Sequence, residues 1–88
     1  RFPPALLPSF WSSLKNFQMS TETKLDGKTK ELIGLAVAAQ IPCRYCVYFH
    51  TQAAALGGAN DRERSEAIAM ASITASVSYP NHTMAPSA

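Results

Sequence analysis

Two thiols and an imidazole lie within one short segment, Cys43-Arg44-Tyr45-Cys46-Val47-Tyr48-Phe49-His50. On a helix each residue turns about 100°, which sets Cys43 and Cys46 about 60° apart and Cys46 and His50 about 40° apart. All three then share one face on successive turns. A CxxC pair at a helix start closes into a disulfide with little backbone movement, so it can cycle between dithiol and disulfide. Exposed N–H groups and the macrodipole of a first turn favour a thiolate at Cys43. His50 can take a proton from Cys46 and hold it as imidazolium, the logic of an activated nucleophile. Two other readings of the same residues stand beside this one. Two thiolates, one imidazole and Glu31 make four zinc ligands, although three from one continuous helix are cramped. Cysteines are also common as small buried core residues.

Glu31 earns its place by register. Residues 28–40 read as a helix that Ile41-Pro42 stops, because proline disfavours helical geometry at the residue before it. A second helix over about 43–56 then folds back as an antiparallel hairpin. Glu31 lies about 13 Å down the first of these helices from Gln40, and His50 about 10 Å down the second from Cys43. The two side chains arrive at similar depth, with Cys46 a turn above. Glu31 shares its face with Gly34, Leu35 and Ala38. A carboxyl group desolvated there either keeps its proton or pairs with a neighbour such as His50. Either state suits a proton relay running through Glu31, His50 and Cys46.

Four helices carry this arrangement. Residues 1–8 hold three prolines and predict an irregular arm. Phe10, Leu14 and Phe17 recur at helical spacing and predict an amphipathic helix from Ser9 to about Met19. Asp26 is the expected N-cap of the second helix, and Pro42 is placed in the first turn of the third. That third helix should end at Gly57-Gly58. Asn60-Asp61-Arg62-Glu63 has the form of a capping box and opens a fourth helix over about 61–76. Ala67, Ile68, Ala71 and Thr74 with Ala75 form its expected inner side, and residues 77–88 read as a tail. No strand pattern survives.

The chain has 88 residues, 47% hydrophobic and 16% charged, with a net charge of +2. That is one domain, too apolar and too weakly charged to be disordered. No cluster of basic residues marks a nucleic-acid or anionic-membrane surface, so neither partner is expected. The longest apolar stretch, residues 32–41, is far shorter than the ~20 residues a membrane span needs. A close cysteine pair, without a larger disulfide framework, suits a reducing compartment, hence the cytoplasm. At this size a lone monomer hides little surface, and the second and fourth helices are rich in small residues. They are expected to pack against partner subunits as well as each other. Phe10, Trp11 and Phe17 read as core or subunit contacts, while Tyr48 and Phe49 flank the thiols and read mainly as packing.

The run Leu25-Asp26-Gly27-Lys28-Thr29-Lys30-Glu31-Leu32-Ile33-Gly34-Leu35-Ala36-Val37-Ala38-Ala39-Gln40, then Pro42-Cys43-Arg44-Tyr45-Cys46 and His50, resembles the AhpD-like core of the carboxymuconolactone decarboxylase/alkylhydroperoxidase family. Residues 53–58 and the Glu66-Ala67-Ile68-Ala69-Met70-Ala71 run extend the likeness, which covers about residues 25–72. The resemblance implies an all-α helical bundle built on a helical hairpin, with the core over 25–76, assembled as trimers or hexamers. It implies a thiol peroxidase or disulfide reductase with no metal or organic cofactor, acting on a hydroperoxide or disulfide. By that likeness Cys46 attacks the peroxide, Cys43 resolves the resulting sulfenic acid, and Glu31 and His50 form the relay. An external dithiol protein restores the pair. The peroxidase branch carries a second histidine just before the second cysteine, where this chain has Tyr45, a poor base near neutral pH. The decarboxylase branch lacks the cysteine pair, which turns the reading away from lactone decarboxylation. Helix-dipole reasoning alone favours Cys43 as the more acidic thiol; the resemblance favours Cys46, within reach of the imidazole. The reading from a different class is a binding or assembly module whose cysteines are structural or hold zinc.

Overall fold

The computed structural model describes residues 3–84, all of whose regular structure is helical. A single 3-10 turn over Pro4–Leu6 leads into α1 (Leu7–Ser13), which continues as a π-helical segment over Leu14–Gln18. The expected irregular arm over 1–8 is therefore helical from Pro4 onward. Pro4 and Pro8 fall in first turns, where a missing N–H costs nothing. Arg1 and Phe2 lie outside the described residues.

The second helix, α2 (Gly27–Gln40), starts where the Asp26 carboxylate accepts the Thr29 N–H at 2.8 Å. Hydrogen bonding from Thr29, chiefly from its side chain and then from this N–H, holds the Asp26 carboxyl below the usual carboxylate range. The turn at Ile41 and Pro42 contains a cis peptide, and α3 (Arg44–Leu56) follows. Pro42 thus sits in the connecting turn, two residues before the helix, and not within its first turn. The Cys43 N–H donates to the Ala38 carbonyl at 2.8 Å, Gly34 lies against His50, and Gly57 lies against Lys28. Descending numbers on α2 meet ascending ones on α3, which is the register of an antiparallel hairpin.

Gly58 closes α3 with a φ of +101°, a conformation that side chains other than glycine's resist. Asn60 and Glu63 then cap each other: the Glu63 N–H donates to Asn60 Oδ1 at 2.8 Å and the Asn60 N–H to Glu63 Oε1 at 3.0 Å. They open α4 (Asp61–Met84), which packs on α2. Lys28 Nζ reaches Glu63 Oε2 at 2.9 Å, tying the starts of α2 and α4 together. The expected tail over 77–88 is helical as far as Met84, and residues 85–88 lie outside the described residues. Serine and threonine content does not itself end a helix: Ser76 bonds back to the Ile73 carbonyl at 3.1 Å and leaves the backbone pattern intact.

The buried apolar residues are Leu35, Ala38, Ala54 and Ala59, a core of mostly small side chains that lets the helices approach closely. Ala67, Ile68 and Ala71 are half-buried on α4 as expected, whereas Thr74 and Ala75 are exposed. Helix α2 is covered by α3 and α4, but Ile33, Val37 and Ile41 remain half or more exposed. Among the described residues no helix is long and apolar enough to cross a membrane.

Candidate functional site

Cys43 is not on the helix but caps it. Its backbone is extended (φ −131°, ψ 104°), and its sulfur accepts the Cys46 N–H at 3.2 Å. The stack of three side chains on one helix face therefore holds for Cys46 and His50 only. A capping residue takes non-helical angles so that its side chain can turn back onto the first N–H groups. The pair is joined as a disulfide across a Cα–Cα distance of 5.2 Å. That bond falls at the amino end of α3, where the free N–H groups make the environment electropositive.

His50 lies one helical turn beyond Cys46. Its Nδ1 is 2.7 Å from Glu31 Oε1, across the hairpin from α3 to α2. Glu31 is 7% exposed, and its other oxygen, Oε2, accepts from Gln18 Nε2 at 3.1 Å. Both oxygens of the buried carboxylate are thus satisfied, as burial of that charge requires. The imidazole fits because position 34 is glycine: a Cβ there would stand 2.5 Å from the ring's Cε1. Beside the pair, Lys30 is also buried. Its Nζ donates to the Phe17 carbonyl at 2.7 Å, the Ser20 carbonyl at 3.0 Å and Thr23 Oγ1 at 2.6 Å.

Cys46 and His50 together line two clefts. One, of about 500 Å³, runs between the end of α1 and α2, walled by Phe17, Leu25, Ile33, Val37 and Ile41. The other, of about 400 Å³, opens between α1 and α3 and is walled by Phe10, Leu14, Tyr45 and Phe49. Gln18 borders both. Phe10, Phe17 and Phe49, expected as packing residues, are thus walls of the approach to the sulfur. The structure brings all four residues singled out by the sequence into one place, as two bonded pairs meeting at Cys46 and His50. Among the described residues, no three His, Cys, Asp or Glu side chains converge on a metal position.

Three residues of the site escape sequence reasoning. Gly34 had a signal, since glycine in an alanine-rich helix one turn from Glu31 marks a close approach. Lys30 and Gln18 had none: each acts through a partner distant in sequence, and charged or amide side chains on a helix are usually solvated.

The model of the carboxymuconolactone decarboxylase family matches residues 5–85. The match reaches past the segment of the resemblance at both ends and takes in α1. Among solved structures, the crystal structure of an alkylhydroperoxidase AhpD core from Rhodospirillum rubrum is similar over 97% of this chain and 62% of that one, at 32% identity and a TM-score of 0.82. The chain thus spans less than two thirds of the length of that protein. Among curated proteins none matches it.

Proposed function

The chain belongs to the carboxymuconolactone decarboxylase family, and from that premise we propose that it is a thiol-based oxidoreductase, reducing hydroperoxides or disulfides by cycling Cys43 and Cys46 between dithiol and disulfide. The observation that carries this reading is the setting of Cys46. It lines both clefts beside His50, whose Nδ1 is held 2.7 Å from the Glu31 carboxylate. Cys43 borders neither cleft.

In the reduced state His50 accepts the Cys46 proton, and Glu31 stabilises the imidazolium that results. The Cys46 thiolate attacks the terminal oxygen of a hydroperoxide, and the O–O bond breaks. Sulfur gains the hydroxyl as a sulfenic acid, and the leaving alkoxide takes the proton from His50 and departs as the alcohol. The Cys43 thiol then attacks the Cys46 sulfenic acid, forming the S–S bond and releasing water. An external dithiol protein supplies two electrons and two protons, leaving as its own disulfide. The apolar cleft walls suit an organic hydroperoxide better than a small hydrated one. The reading is of a cytoplasmic redox enzyme, not a decarboxylase, that works as a homo-oligomer.

The test is consumption of an organic hydroperoxide by the reduced protein with a dithiol donor. Cys46→Ser should abolish it, and Cys43→Ser should permit one stoichiometric reduction without turnover. Turnover that survives Cys46→Ser overturns the mechanism.

A further inference from the structure

Among the described residues, Gln18 is the one polar side chain bordering both clefts that has no part in the proposed cycle. Its Nε2 donates to Glu31 Oε2 at 3.1 Å, while Oε1 of the same carboxylate meets His50 at 2.7 Å. Held at one oxygen by Gln18, the carboxylate presents the other to the imidazole. The backbone presenting Gln18 is unusual. Leu14–Gln18 winds as a π-helix, with the Met19 N–H donating to the Leu14 carbonyl at 2.8 Å. Such segments are rare and, where found, concentrate at functional sites.

The end of that segment is gripped from α2. The Lys30 ammonium takes the Phe17 and Ser20 carbonyls, which flank Gln18 on either side. Burying an ammonium among neutral acceptors is costly, and here all three of its protons are used. Lys30 and Glu31 are consecutive, so one turn of α2 fixes both the backbone that carries Gln18 and the oxygen Gln18 donates to.

We propose that Gln18 is a positioning residue for the Glu31–His50 pair, and through it for the Cys46 thiolate. This rests on the relay described above and is tested apart from turnover. The measurement is alkylation of Cys46 by iodoacetamide in fully reduced protein, followed from pH 5 to pH 8, with thermal melts of each variant. A positioned base contributes roughly 10²–10⁴-fold, so losing the group that only orients it should slow the reaction about tenfold near neutral pH in Gln18→Leu. Gln18→Glu should be slower still at pH 8, where two carboxylates face each other. Relative to wild type it should recover toward pH 5, as the introduced carboxyl takes up a proton and donates as the amide did. A packing role alone does not produce that inversion.

Gln18→Leu alkylating at the wild-type rate overturns the proposal, as does a Gln18→Glu deficit that stays constant with pH. If Gln18→Leu does not fold, the Gln18→Glu comparison between the two pH values decides alone. His50→Ala separates this inference from the one it rests on. Slowed alkylation in His50→Ala with none in Gln18→Leu removes only Gln18's role. Wild-type alkylation in His50→Ala removes the relay, and Gln18's role with it.

Discussion

Replacing Gly34 with alanine sets two physical effects of opposite sign against each other. Position 34 is in the middle of α2, where alanine is favoured over glycine by about 1 kcal/mol. Propensity alone therefore predicts a more stable protein. The space argues otherwise. A Cβ at this position would lie 2.5 Å from His50 Cε1, 2.7 Å from Nδ1 and 2.8 Å from Nε2. Carbon atoms rest at about 3.5–4.0 Å, so the ring must retreat by about 1 Å. Starting from 2.7 Å, that retreat carries Nδ1 beyond hydrogen-bonding distance of Glu31. Losing a charge-assisted hydrogen bond costs about 1.5–3 kcal/mol, and overpacking without retreat costs about 1–3 kcal/mol. After the propensity gain the net loss is about 0.5–2 kcal/mol, a fall in Tm of roughly 2–15 °C for a domain of this size. An imidazole displaced by about 1 Å from its working position should also cost about a hundredfold in hydroperoxide turnover. Calorimetry and a turnover assay on Gly34→Ala read both quantities. A variant that melts several degrees higher and turns over within about twofold of wild type would refute the reasoning, since propensity would then have prevailed over packing.

The Lys28–Glu63 ion pair between α2 and α4 predicts a pH dependence. The Lys28 ammonium holds the Glu63 carboxyl below the usual carboxylate range, and Glu63 in turn raises the Lys28 amine. The stability contributed is therefore whole between about pH 5 and pH 9, lost in acid as Glu63 titrates through its lowered value and in alkali as Lys28 titrates through its raised one. Lys28→Met should lower Tm by at most a few degrees at pH 7 and flatten its fall between pH 5 and pH 3; parallel curves for variant and wild type would remove the pair's role. Assembly is the other expectation: the single chain exposes 6759 Å², against about 5,000 Å² for a compact monomer of its mass. Analytical ultracentrifugation should find a species of several times 9.5 kDa, and Ile73→Glu on exposed α4 should dissociate it without unfolding the chain; a wild-type monomer refutes the expectation.

Local signals were legible where the interaction closes within a few residues. The Asp26 cap and the Asn60–Glu63 box are of that kind, since donor and acceptor sit three positions apart. The Glu31–His50 contact was also legible, because a short turn at Pro42 forces two helices into one register and the rise per residue then fixes depth. Gln18 belongs to a helix whose approach is set by Lys30 gripping its last carbonyls, a contact spanning 13 residues that no periodicity encodes. The π-helical turn was invisible for a related reason: shifting a hydrogen bond by one residue leaves the apolar spacing of Phe10, Leu14 and Phe17 unchanged. Cys43 was placed one residue too far into its helix because a cap and a first-turn residue differ in backbone angle, not in residue type.

The displaced cysteine bears on the division of labour between the two sulfurs. Helix-dipole reasoning and access to the imidazole pointed to different thiols, and the geometry of the cap relates them. Cys43's sulfur accepts the Cys46 N–H at 3.2 Å, so a thiolate formed there is stabilised by that N–H and by the helix terminus. Cys46 lines both clefts together with His50. In thiol–disulfide exchange the attacked sulfur must be accessible, and the sulfur that leaves does so faster when its thiolate is stabilised. In the proposed cycle an external dithiol entering either cleft meets Cys46, and Cys43 is the sulfur that departs with the electron pair. In the proposed cycle the same two requirements recur on the oxidising side. Peroxide needs the cysteine that lines the cleft, and the sulfenic acid needs a thiol already waiting beside it. A capping cysteine followed three residues later by one that borders a cleft meets both without moving the backbone of α3.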